Sequence, residues 1–312
     1  EMALEAMQKN HFIDQQGIFV GRQPITTLHQ QHRVRGVGNR VYLRPPQETF
    51  HQFLGFYLSE TLGHQWLADE MEKSNEQIHL IAQWVNETHT LMTKGERMVE
   101  LPITSVKMSG NIKALHSLAY DLYSLGLSGR KVLPRLVNRL KNPDQFQGAR
   151  YEVAVAAISV RAGFDITWIN ENGRHCEFLG RHRTTKDEAI FEVKSHHRDG
   201  VLGRDGQFDA EVTKVKISDH IREARTQTTQ NISLVIFDDL NLPITDTLRL
   251  NEKKWFGEID EQLKKYGFFE HGTENSFFKD TLSMECITNF SWHYHKEQPE
   301  VPNEVLGYFH FG

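Results

Sequence analysis

The sequence predicts an α/β fold: an αβββαβ core between an α-helical N-terminal region and a small C-terminal α/β extension. Three observations predict it. Apolar residues recur at three- and four-residue spacing through much of the first half, as on the buried stripe of a helix. Between about residues 147 and 240 a helical stretch gives way to three successive strand-like runs, the first two parted by Asn172-Gly173, a hairpin signal. A second helical stretch then leads into a short, wholly apolar run, Ile232 to Phe237, of the kind buried in a sheet core. The expected boundaries are 1–145, 146–245 and 246–312.

Each element has its own signal. The first 45 or so residues read as mixed and turn-rich, punctuated by Gly36-Val37-Gly38 and Pro45-Pro46. That Gly-x-Gly lacks the later glycine and the strand–helix setting of a nucleotide loop. Phe50, Phe53, Leu54, Tyr57, Leu58 and Leu62 mark a helix over about 48–70. Ser74, with Gln77 three residues on, reads as an N-cap ahead of Ile78, Ile81, Trp84 and Val85. A further helix is expected over 112–125, ending at Gly126. Lys131, Arg135 and Arg139 are spaced by four and would share one helix face, either a solvated face or a phosphate-contacting stripe. Tyr151 to Ala162 reads as a buried helix closed by Gly163. Strands follow over 164–170, 175–183 and 189–196, then a glycine-rich loop over 198–211, a helix over 213–227 and the apolar strand. A helix at 255–266 and a strand through 287–294 complete the chain.

Composition narrows the function. A net charge of −5 rules out a histone-like polycation, so nucleic acid would have to be held by a local basic patch or through a metal ion. No apolar run approaches the roughly 18 residues of a membrane span, and no signal-peptide pattern opens the chain. Cys176 and Cys286 offer no disulfide framework, and the expected setting is cytoplasmic, without a membrane partner. The 17 histidines are scattered and form no finger pattern.

The chemistry concentrates in the strands. Period two puts Ile190, Glu192 and Lys194 on one face of a strand and Phe191, Val193 and Ser195 on the other. An acidic-x-Lys triplet alone is a common pattern, and Glu252-Lys253-Lys254 also matches it. Here, however, a hairpin could bring Glu177 beside Glu192, and Glu152 sits in a helix otherwise made of Val, Ala and Ile. Converging carboxylates repel unless a cation neutralises them, and a hard divalent ion suits such a set.

These residues resemble the PD-(D/E)XK nucleases of restriction-endonuclease-like fold, in particular their resolvase- and Mrr-like branch. The family's core has the helix–strand–strand–strand–helix–strand order, with an acid on the second strand and an acidic-x-Lys triplet on the third. Glu177 matches the first acid, Glu192-Val193-Lys194 the triplet, and Glu152 the glutamate often found on the first helix. The likeness covers roughly 147–240. The chain departs from the pattern at Cys176-Glu177, where the family commonly has Pro-Asp; the longer glutamate stem would shift the metal position.

The resemblance implies metal-dependent phosphodiester hydrolysis, most often of DNA. Glu177 and Glu192 would hold Mg²⁺ or Mn²⁺, with the Val193 carbonyl as a further ligand. Lys194 would orient the attacking water or stabilise charge on the phosphoryl oxygens, and Glu152 would support a second ion or a water-mediated contact. His196, His197 and Arg198 either touch phosphates or form the polar exit of a strand. His293 and His295 read as packing or surface residues. Ser195 points away from Lys194 and has no triad to activate it. The N-terminal region would serve partner binding, homodimerisation or DNA positioning. The competing reading is a catalytically silent relative that binds nucleic acid or a partner.

Overall fold

The structure is a computed structural model describing residues 22, 24–74, 76–97, 104–169, 176–202, 204, 206–207, 216–227, 232–242, 249–265, 283–290 and 304–310. It is mixed α/β, with eight α-helices among these residues. The Asn172-Gly173 turn, Gly203, His293 and His295 lie outside them.

The N-terminal region is helical only in part. It begins with an antiparallel meander of β1 (Ile25–His29), β2 (His32–Val37) and β3 (Arg40–Arg44). Gln30 and Gln31, at φ of +45° and +62°, make the first hairpin turn, and Gly38 at +59° heads the second. Glutamine is an unusual residue for a turn of this kind, and β1 is exposed along its length, so neither turn chemistry nor alternation announced the first hairpin.

The helices follow: α1 (Phe50–Leu62), α2 (His64–Met71), α3 (Leu80–Lys94), α4 (Gly110–Leu127), α5 (Pro134–Leu140) and α6 (Phe146–Arg161). A short β4 (Glu96–Arg97) pairs with β5 (Thr104–Ser105) between α3 and α4. The predicted helix over 48–70 starts with a Thr49–Gln52 capping box and breaks at Gly63, whose φ of +96° ends α1. Ser74 caps nothing; its carbonyl closes a turn, and His79 is the true N-cap of α3, its Nδ1 accepting from Ile81 N–H at 3.2 Å. The Glu70 carboxylate fixes His79 by accepting its N–H at 2.9 Å.

The α/β half follows the predicted order, although its first helix starts five residues earlier than expected. α6 leads to β6 (Phe164–Trp168), β7 (Phe178–His182) and β8 (Glu188–Ser195). The helix α7 (Ile217–Gln227) then crosses to β9 (Ser233–Asp239). β6–β7–β8 is antiparallel, and β8 runs parallel to β9, as a helical crossover requires. The C-terminal segment does not stand apart as a separate extension. After α8 (Lys254–Lys265), β10 (Ser283–Asn289) joins β9 in parallel, and β11 (Glu304–His310) completes a six-stranded sheet in the order β11-β10-β9-β8-β7-β6.

Two apolar layers cover this sheet. Phe178, Phe191, Val193 and Phe237 face α6, in a core that runs through Tyr151, Phe146 and Trp84 into α1 and α4. The opposite residues, Ile190, Leu234, Ile236 and Ile287, pack on Ile217, Ile221 and Ala224 of α7 and Ile259 and Leu263 of α8. Alternation along β8 therefore decides everything at the site: its odd positions enter the aromatic core, and Glu192 and Lys194 face α7.

Candidate functional site

Glu177 immediately precedes β7 and still keeps the ladder. Its N–H donates to Phe191 at 3.0 Å, and its carbonyl accepts from Ile169 at 3.1 Å. One step further along β8, past the end of β7, the Val193 N–H is satisfied by the Glu177 carboxylate at 2.8 Å. This bond turns the glutamate side chain back onto the sheet, beside Glu192. Glu192 is almost wholly buried, and the Lys194 ammonium donates to it at 2.5 Å. The Cys176 thiol and the Glu177 carboxyl also bond to the Glu192 carboxylate. Burial, then the charges of Glu192 and Glu152, push Glu177 well above the usual carboxylate range.

Lys194 keeps its charge. Burial works to lower its pKa, but Glu192, Glu177 and Glu223 together outweigh it and raise the value. Glu223, on α7, lies 3.8 Å from the ammonium. The Lys194 side chain remains 22 % exposed and so reaches solvent from a buried carboxylate partner.

Glu152 comes to the same end of the sheet from α6. Burial raises its pKa, against the pull of Arg139, whose Nη1 donates to it at 2.5 Å. Glu192 and Glu152 sense each other's charge, but Glu152 is bonded to Arg139.

The basic residues divide. Lys131 precedes α5, so it does not continue a helical face with Arg135 and Arg139; its carbonyl accepts from Trp168 Nε1 at 3.2 Å. Arg139 is committed to Glu152, and exposed Arg135 donates to the Ile169 carbonyl at 2.9 Å. Arg198, expected at phosphates, instead donates through Nε and Nη2 to the Leu240 carbonyl at 3.0 and 2.9 Å. The buried amide of Gln147 further fixes this turn, accepting from Arg198 N–H at 2.9 Å and donating to the Val201 carbonyl at 2.6 Å. The first residues of the glycine-rich loop are thereby pinned to α6. Nothing in the spacing of Gln147 marked that role, because its partners are about fifty residues away. Arg22, Arg40, Arg130, Lys131 and Trp168 line a groove of about 840 Å³ between the N-terminal meander and the α4–α5 connection.

His196 turns inward. Its Nε2 lies 3.2 Å from Oδ1 of Asp238, and His220 Nδ1 donates to the other oxygen. Among the described residues this is the one group of three His, Cys, Asp or Glu whose potential ligand atoms all lie within 4.8 Å of one another. Burial alone would raise the Asp238 pKa, and the two imidazoles facing it more than offset that. Asp238 could have been suspected as a carboxylate closing an apolar strand; its pairing with residues 196 and 220 could not.

Compared with models of known families, with curated proteins and with solved structures, the chain gives no match. Among the described residues no helix is long and apolar enough to cross a membrane.

Proposed function

We propose that the protein is a divalent-metal-dependent nuclease with a restriction-endonuclease-like core of the PD-(D/E)XK type, acting on DNA. The observation that carries the reading is the contact set at the end of β7 and β8. There the Glu192 carboxylate receives the Lys194 ammonium with the Glu177 carboxyl beside it, inside an αβββαβ arrangement of α6, β6–β8, α7 and β9.

The donor set fits a hard cation. Two carboxyl groups share a desolvated site, where burial and mutual repulsion raise the Glu177 pKa and a divalent cation would relieve both. Glu177 and Glu192 would hold Mg²⁺ or Mn²⁺, with the Val193 carbonyl as a further ligand. Such an ion, when bound, polarises a phosphate and lowers the pKa of its water. The side chains do the rest. Lys194, held charged chiefly by Glu192, stabilises negative charge developing on the phosphoryl oxygens. Glu192 fixes the ammonium in place, and Arg139 keeps Glu152 from adding an uncompensated charge. The groove lined by Arg130, Lys131 and Trp168 suits a nucleic-acid strand, offering cations for phosphates and an aromatic face for a base. Exposed Arg135 donates to the carbonyl of Ile169, whose N–H bonds to the Glu177 carbonyl.

The test is cleavage of supercoiled plasmid, single-stranded DNA and RNA with Mg²⁺ or Mn²⁺, comparing the unaltered chain with Glu192→Ala and Lys194→Ala. Metal-dependent cutting should be lost in both variants, and the polymer cut identifies the substrate. A chain that cuts none of the three, or cuts equally well in both variants, refutes the assignment.

A further inference from the structure

We propose that His196, His220 and Asp238 form a second metal site, selective for a zinc-like transition ion and distinct from the acidic pair at Glu177 and Glu192. The proposal does not depend on nuclease activity.

The geometry is unusual for a hydrogen-bonded cluster. His196 Nε2 and Asp238 Oδ1 stand 3.2 Å apart, both closed off from solvent, and their contact is too poorly aligned for a well-formed hydrogen bond. A proton between them would line up the donor and the acceptor, and they are not lined up. A metal ion needs no such alignment, because it sits off the line joining its ligands. With Zn–N and Zn–O bonds near 2.0–2.1 Å, two tetrahedral ligand atoms lie about 3.3 Å apart. The observed separation matches that edge. His220 Nδ1 supplies the third ligand atom; at present it donates to Asp238 Oδ2, and the ion would take the place of that proton.

Charge balance points the same way. Asp238 is fully buried, and Glu285 of β10, on the same sheet face, is fully buried with neither carboxyl oxygen hydrogen-bonded. A cation among these groups would compensate acidic side chains that burial otherwise makes costly. Imidazole ligands favour Zn²⁺ and its neighbours over Mg²⁺, which prefers an all-oxygen shell. Three protein ligands leave a fourth position for water. The ligands come from the exit of β8, from β9 and from the crossover helix α7, so the ion would tie that helix to two parallel strands. It would also fix Glu223, one turn along α7 from His220, against Lys194.

The experiment uses the full chain, stripped with a chelator and titrated calorimetrically with ZnCl₂ and, separately, MgCl₂. The expected result is one Zn²⁺ per chain, bound unchanged in Glu192→Gln and weakened roughly tenfold or more in His220→Ala and His196→Ala. Far-UV circular dichroism confirms that the variants are folded. CoCl₂ added to the unaltered chain gives a reading that needs no variant: intense visible absorption marks a tetrahedral nitrogen–oxygen site. Failure to bind Zn²⁺, binding undiminished in both histidine variants, loss in Glu192→Gln instead, or only weak octahedral cobalt absorption would overturn the proposal. In those cases His196 and His220 merely neutralise a buried aspartate.

Discussion

Arg139 is the residue at which structural and functional roles can be separated most cleanly. The sequence left it on a basic stripe; the structure bonds it to Glu152, whose side chain is 6 % exposed while that of Arg139 is 39 % exposed. Arg139→Ala removes the cation and leaves the carboxylate enclosed. With charge centres about 4 Å apart, the pair is worth about 4 kcal/mol at an effective dielectric near 20 and about 1 kcal/mol in water. The exposed guanidinium places this pair between those values, and the expected loss of stability at pH 7.5 is about 2 kcal/mol. Urea unfolding followed by far-UV circular dichroism measures it. Glu152→Gln introduced into Arg139→Ala should restore more than half of the loss, since it removes the stranded charge.

The pH dependence has a definite sign. Burial already holds the Glu152 pKa above its ordinary 4.5, and losing Arg139 raises it further. A raised native value means stability that is full below the ordinary value and lost as pH rises through the native one. The deficit of Arg139→Ala should therefore shrink as pH falls toward 4.5. A loss under about 0.5 kcal/mol, or a deficit independent of pH, would refute the reasoning and return Arg139 to the solvated face.

Two further expectations are simpler. Gly180→Ala would put a Cβ 2.6 Å from the Phe191 ring and 3.1 Å from the Phe164 ring; overpacking of this kind should cost about 1–3 kcal/mol in urea unfolding, and a neutral result would mean that the aromatic layer yields. Burial, opposed by Arg161, raises the Asp121 pKa from 3.8 to about 6. The wild-type chain thus loses up to about 3 kcal/mol between pH 4 and pH 8, and Asp121→Asn should show none of that slope. Identical pH profiles would contradict it.

Much of this protein could be read directly. The αβββαβ order follows from local signals: the 3.6-residue stripe of α6, the alternation along β8 and the unbroken apolar run of β9. The same alternation already placed Glu192 and Lys194 on one face, and the grouping of Glu177 with them needed only a hairpin. The meander at Ile25–Arg44 was not legible, because its first turn is made of glutamines and its outer strands β1 and β3 have no buried residue. The start of α3 was misplaced for a related reason: Glu70 and His79 fix that helix end through a contact between separate segments, stronger in place than the local Ser74 signal.

What the sequence determined by itself is therefore the set of elements and the face each residue takes within its element, because period and propensity act over a few bonds. Only tertiary structure decided which faces meet. It closed β10 and β11 onto β9, gave Arg139 to Glu152 and Arg198 to Leu240, and set His196 and His220 around Asp238. Those pairings join residues 13 to 42 positions apart or more. They are chosen by the need of buried charges and polar groups for partners, and that need arises only once the chain has removed them from water.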